Sequence, residues 1–143
     1  MKKLILLFTA ISFSLTIQSA NAEKNEWKEL NDFHTIMSKS FHPTEEGNFK
    51  PLKENAAALA KSARTWSEAE VPDGFDKELT PKILGELVAK CDAIEKSVSA
   101  NAGDDELKVQ ITEAHEVFHQ IVEKCQKHEE GSKEKGHEGH DHK

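Results

Sequence analysis

Tyrosine is absent from this 143-residue sequence, and stretches in which β-branched and polar residues alternate are scarce. Since such alternation is the main signal for strands, these absences argue against a β-rich fold. The sequence also lacks a glycine-rich phosphate-binding loop and a readable serine, histidine and acid arrangement, which are common signals for enzymes. We therefore expect an all-α protein that is not an enzyme.

Long apolar runs are missing except at the N-terminus. There, Lys2 and Lys3 precede an apolar stretch from Leu4 to about Ile17, and residues 20–22 read Ala-Asn-Ala. This order is typical of a secretory signal peptide, and the run is too short and too interrupted by serine for a membrane span. We expect residues 1–22 to be removed, no lipid anchor because no cysteine follows, and a periplasmic protein.

Basic residues are fewer than acidic ones, 19 against 26, and the formal net charge is −7. Removing residues 1–22, which carry two lysines and no acid, lowers this charge to −9. Such an acidic chain is a poor partner for nucleic acid or for an anionic membrane surface. This negative charge favours a metal cation as the partner. A periplasmic metal-handling or redox protein is a further expected partner.

Four segments repeat apolar residues at spacings of three and four, as helices with one buried face do. Pro43 is expected to end the first helix, Thr80 and Pro81 to begin the third, and Asp104 to cap the fourth. Fairly short connections favour an antiparallel up-down-up-down four-helix bundle over residues 23–127. The expected core positions are Trp27, Leu30, His34, Met37, Phe41, Leu52, Ala56, Leu59, Ala63, Trp66, Leu84, Leu87, Cys91, Ile94, Val98, Leu107, Ile111, Ala114, Phe118, Ile121 and Cys125.

Residues 128–143 contain no apolar side chain and cannot contribute to a core. Three histidines stand there among acidic and glycine residues, at His137, His140 and His142, with His128 before them. Histidine and acid in such a segment bind copper, nickel or zinc weakly. We predict a disordered, metal-gathering tail, with an affinity tag as the alternative.

Histidines also occur within the helices, where a core needs none. The heights of residues along the bundle can be compared by folding the chain back at each loop and counting ~1.5 Å per residue. By this count, His115 lies level with about residue 89 on the third helix, close to Cys91. On the first helix it lies level with about residue 32. His34 and Met37 would then lie within a turn of that level. His119 follows one turn later, and His42 is expected just beyond the first helix, able to reach the site only if the loop folds back.

Imidazole combined with thioether or thiolate suits copper, zinc or nickel, and histidines four apart on a helix can chelate one ion. We therefore predict a metal site that draws on five side chains. The alternative is that none of these side chains binds a metal. Each histidine would then be hydrogen-bonded in the core or exposed to solvent, and the methionine would fill space in the core. The predicted metal ligands are His34, Met37, His42, His115 and His119.

The stretch 115–119 also matches the zinc-protease pattern H-E-x-x-H. Such a protease needs a third ligand downstream and a substrate cleft. A bundle of about 100 residues has little room for that cleft, so a protease is the weaker interpretation.

Two cysteines in an exported protein suggest a disulfide. In the bundle, however, Cys91 and Cys125 differ in height by roughly 18 Å, which exceeds the ~7 Å limit between the Cα atoms of a disulfide. We expect free thiols, with Cys125 near the bundle end beside Trp27 or Trp66.

In its signal peptide, four helices and histidine on the last helix, the chain resembles exported four-helix bundles of the cytochrome c′ and cytochrome b562 type. The resemblance covers the architecture only and implies haem b held by Met37 and His115 as axial ligands. The absence of CxxCH excludes covalent haem attachment. The stretches "FHPTEEGNFKPL" and "FHQIVEKC" also resemble a group of small exported bacterial proteins of unassigned function.

Together these patterns predict a periplasmic protein that sequesters or delivers copper, zinc or nickel through His and Met ligands. A non-covalent b-type haem electron carrier and a metal-free structural or chaperone-like helical module are the alternatives.

Overall fold

The computed structural model describes residues 27–126, which fold as the predicted all-α four-helix bundle. Helix α1 spans Lys28–Glu45, α2 Lys50–Glu68, α3 Leu79–Ser99 and α4 Asp104–Lys124. Each helix packs on the next, α4 returns to α1, and the pairs α1/α3 and α2/α4 lie on the diagonals. The expected signal peptide and histidine-bearing tail lie outside the described residues.

No strand forms between residues 27 and 126, where β pairing is limited to an isolated bridge between Phe75 and Gln126. Among the helices described, none combines the length and the apolar character that a membrane crossing requires.

The core consists of one apolar stripe from each helix, and the stripes expected on α2, α3 and α4 are confirmed except that Val98 is only partly buried. Because residues three and four apart share one face of a helix, the sequence period selects these positions correctly. Full burial of each large side chain contributes about 1.5–3 kcal/mol. The buried members include Leu52, Leu59, Trp66, Leu84, Leu87, Ile94, Leu107, Ile111, Phe118 and Ile121.

On α1 the expected stripe is right at Met37 and Phe41 but wrong at His34. Phe33 is fully buried instead, with its ring centre 5.5 Å from that of Trp66 and 5.7 Å from that of Phe118, whereas His34 is exposed. The two positions are neighbours on the helix, and either fits the spacing. Burying phenylalanine is more favourable than burying histidine. The phenylalanine ring removes more apolar area from water and brings no polar nitrogen into the core.

Helix α1 also continues through Pro43 and ends at Glu45, so the expectation that Pro43 ends it is wrong. Pro43 has no backbone N–H to donate to the carbonyl oxygen of Lys39, so α1 continues without that one bond. Thr44 is buried there and donates its hydroxyl to the carbonyl oxygen of Ser40 at 2.8 Å. As a consequence, His42 lies within the helix and not in a loop.

The starts of α3 and α4 differ slightly from expectation. Helix α3 begins at Leu79, whose backbone N–H donates to the carboxylate of Asp76 at 2.7 Å, so Asp76 supplies the capping oxygen in place of Thr80. At α4, Gly103 occupies the N-cap and Asp104 the first helical position. The carboxylate of Asp104 still stabilises this end through the helix dipole.

Both cysteines are free and buried, as expected. Cys91 lies in the middle of α3, while Cys125 lies at the C-cap of α4, where its carbonyl oxygen accepts the backbone N–H of Asp76 at 2.8 Å. Asp76 belongs to the loop between α2 and α3. The same loop carries Phe75, whose ring centre is 4.9 Å from that of Trp27. Cys125 therefore lies at the tryptophan end of the bundle.

Neither thiol is expected to react in the folded protein. Burial, with a smaller contribution from Asp92, raises the pKa of Cys91 to about 12, although Arg64 opposes the shift. Because the thiolate is the reactive form, alkylation of Cys91 at pH 8 should be at least about 100-fold slower than in denatured chain. Timed labelling followed by mass spectrometry measures this. Rapid labelling, or a Cys91–Cys125 cross-linked peptide, would contradict the buried, separate positions.

Candidate functional site

All four histidines among residues 27–126 lie where α1 and α4 meet. His34 and His42 come from α1, and His115 and His119 come from α4. We call these four residues the histidine cluster and the line between the two helices the α1–α4 seam. The structure thus brings together four of the five side chains that the sequence predicts as metal ligands.

His115 is the centre of the cluster. Its ring centre is 4.5 Å from that of His119, one turn further along α4, and 6.4 Å from that of His42, across the seam. His34 lies to one side, where its ring stacks on Phe118 at 5.1 Å with an interplanar angle of 8°. His115 therefore has one imidazole neighbour on its own helix and one across the seam, and a fourth imidazole lies further along the seam.

The position of His115 is fixed by an aromatic stack across the seam. Its ring lies 3.9 Å from the ring of Phe41, with an interplanar angle of 16°. His115 is half-buried, whereas the side chains of His42 and His119 are 64% and 49% exposed. His115 is therefore held in place, while its two neighbours have room to change rotamer.

The protonation state of His115 follows from these surroundings. Its pKa lies below the usual value of 6.5, first because burial disfavours the charged form, and then because His119, His42 and His34 are close. Glu45 opposes the shift. At neutral pH His115 is consequently uncharged, which is the state in which imidazole binds metals.

Each exposed histidine has a glutamate beside it on its own helix. The Nδ1 atom of His42 lies 3.4 Å from Oε2 of Glu45, and Nδ1 of His119 lies 3.6 Å from Oε1 of Glu123. A carboxylate near Nδ1 favours the tautomer with its proton there and leaves the Nε2 lone pair free. This arrangement is common for histidines that bind metals through Nε2.

The side chains as placed do not yet surround a common ion. Within residues 27–126, no group of three or more histidine, cysteine, aspartate or glutamate side chains is arranged as a metal site. Two imidazoles bound to one tetrahedral zinc ion place their ring centres roughly 5 Å apart. The distances from His115, 4.5 and 6.4 Å, bracket that value, so a shared ion requires His42 and His119 to change rotamer.

The sulfur-containing residues lie elsewhere. Met37 is fully buried on α1, and Cys91 is fully buried on α3, which is diagonal to α1. With its pKa raised to about 12, Cys91 is a protonated thiol at neutral pH. The expectation that Cys91 gathers with the histidines inside the bundle is therefore wrong; the imidazoles lie at the outer edge of the α1–α4 seam.

Height matching also misplaced the first helix. Phe41 contacts His115, whereas Phe33 and His34 contact Phe118, so His115 lies opposite residues 36–41 of α1 and not opposite residue 32. Small offsets between neighbouring helices add up over three loops, because counting residues ignores how far each helix extends past its partner. This shift, together with the extra turn of α1, is what brings His42 to the cluster.

Three residues that shape the cluster were missed at the sequence level. Glu45 could have been found, since it lies three residues after His42 on the same helix. The stacks of Phe41 and Phe118 on imidazoles could not, because they join α1 and α4 across the seam.

The H-E-x-x-H pattern of residues 115–119 lies on α4, and two of its central residues are buried. Val117 and Phe118 face the core, and Glu116 is exposed. Three surface pockets on the described part of the chain lie elsewhere, between α1 and α2, beside Trp27, and between α3 and α4. Their linings do not include His115.

Comparisons with protein-family models, with curated proteins and with solved structures found no match. The bundle itself is established by the helices and their packing.

Proposed function

We propose that the protein binds a divalent transition-metal ion, copper, zinc or nickel, at the histidine cluster, and that it sequesters or delivers this ion in the periplasm. The observation that carries the proposal is the convergence of His42, His115 and His119 from two helices.

The chemistry of the donors supports these ions. Imidazole nitrogens and carboxylate oxygens suit copper, zinc and nickel, whereas calcium and magnesium require oxygen ligands alone. The neutral state of His115 removes the need to displace a proton before the metal binds. Three imidazoles leave a coordination position open to water, which suits an ion that must be taken up and released.

A haem b carrier with Met37 and His115 as axial ligands is supported less well. The Met37 side chain is fully buried in the core, so a haem could reach its sulfur only if α1 and α4 separated. Visible absorbance of the purified protein separates the two proposals at once. A Soret band would favour haem, and a colourless or weakly blue metal-bearing protein would favour the histidine cluster.

The test of the proposed function needs a chain in which the tail cannot compete. In the tail-glutamine variant, His128, His137, His140 and His142 are replaced by glutamine and the chain keeps its length. Equilibrium dialysis against zinc or copper, with elemental analysis, should find one bound ion per chain. The matched control is the same tail-glutamine chain in which His34, His42, His115 and His119 are also replaced by glutamine.

The two chains give opposite outcomes. If the control binds as tightly as the tail-glutamine variant, or if the tail-glutamine variant binds nothing, the histidine cluster is not a metal site. A metal-free structural module would then be the remaining interpretation of the bundle.

Deleting residues 128–143 should leave the melting temperature almost unchanged, since this segment has no apolar side chain to pack on the domain. The number of weakly bound ions should fall at the same time. Calorimetry and metal titration of the two chains measure both effects. A drop of many degrees would show that the tail packs on the bundle.

A further inference from the structure

The α1–α4 seam is built differently from the other three. Loops join α1 to α2, α2 to α3 and α3 to α4, whereas α1 and α4 are the first and last helices and are joined by side chains alone. The backbones of α1 and α4 also approach each other over a much shorter stretch than those of the other neighbouring pairs. Because regions with few packing contacts open first, this seam is where we expect local opening of the bundle.

Rings fill the gap that the backbones leave. On the inside, Phe33 meets Phe118 with ring centres 5.7 Å apart. On the outside, His115 stacks on Phe41 at 3.9 Å and His34 stacks on Phe118 at 5.1 Å. The contact between α1 and α4 is thus apolar on the inside and contains imidazole rings on the outside. These imidazoles contact the opposite helix by ring stacking.

The histidine cluster has ligands on both sides of this seam. His42 belongs to α1, while His115 and His119 belong to α4. An ion bound by all three would join the two terminal helices directly, across a chain separation of 73 residues between His42 and His115. A pair on one helix alone, His115 with His119, would bind an ion without joining anything.

We propose that the bound ion acts as a clamp that holds α1 against α4, so that occupancy of the site controls opening of the bundle. This inference rests on the proposed metal-binding function and adds what binding does to the protein. With the ion bound, α1 stays docked and its buried residues, Met37 and Phe33 among them, stay covered. Without it, α1 separates transiently from α4.

The test measures amide hydrogen exchange in the full-length tail-glutamine variant, with and without zinc at roughly ten times its Kd. Zinc does not change oxidation state and does not broaden spectra. Exchange in residues 33–45 of α1 and 111–122 of α4 should slow by about tenfold. Exchange by local opening in residues 52–66 of α2 should change much less, because α2 lies away from the clamp.

The matched variant is His42→Gln in the same chain. His42 is exposed, so this change should leave metal-free exchange unaltered. With zinc raised until the remaining pair is saturated, α4 should still respond, but the protection of α1 should be lost. This pattern separates an ion that bridges two helices from an ion held on one.

Four results would overturn the clamp, and they differ in what else they remove. Zinc that binds but protects α4 alone, or all four helices equally, disproves the clamp and leaves the proposed function intact. Equal protection of α1 in the His42→Gln variant does the same. Absence of zinc binding removes the proposed function and the clamp together.

Discussion

Replacing His115 by alanine is expected to abolish a metal-dependent rise in melting temperature. In the tail-glutamine variant, zinc at about one hundred times its Kd adds about 2.7 kcal/mol to the free energy of unfolding. For a domain of this size that corresponds to a rise of roughly 10–20 °C. His115 is the imidazole that both other ligands adjoin, and its loss leaves His42 and His119 without the ring between them.

The same substitution should alter the metal-free protein little. His115 is half-buried, and the apolar stripes of the four helices supply the folding energy. Calorimetry of both chains, with and without zinc, separates loss of the site from loss of the fold.

Two further variants make this comparison specific. Gln120→Ala changes a partly buried polar residue on the same helix and should keep the full zinc effect. Met37→Leu removes the sulfur and keeps the volume, and it should keep the effect as well, because the Met37 side chain is fully buried. If wild-type protein shows no rise with zinc, copper or nickel, the cluster is an ordinary part of the surface.

The second large effect is expected in the core of α1. Phe33→Ala should lower the free energy of unfolding by about 3–5 kcal/mol. The Phe33 ring is fully buried between Trp66 and Phe118, and its removal leaves a cavity at the point where α1, α2 and α4 meet. Urea denaturation followed by tryptophan fluorescence measures the change.

His34→Ala is the control for this result, since it changes the next residue along the helix. His34 is exposed and stacks on one face of Phe118, so its loss should cost less than about 1 kcal/mol. Reversed effects, with His34→Ala the more harmful, would mean that α1 is rotated and that His34 faces the core.

The spacing of residues along the chain was enough to predict the number of helices, the core stripes of α2 to α4 and the separation of the cysteines. Apolar spacing of three and four depends only on helix geometry, which is the same whatever the helix packs against. For the same reason, the spacing alone places His115 and His119 on one face of α4. It does not predict their meeting with α1.

How α1 lies against α4 was settled by packing between the helices. The spacing on α1 allowed either Phe33 or His34 to face inward, and only contact with Trp66 and Phe118 selected Phe33. The last turn of α1 continues past Pro43, and Thr44 in that turn is buried against the rest of the bundle. That turn carries His42 to His115, and the rotation and sliding of one helix on another, on which the histidine cluster depends, are set by packing that no single helix encodes.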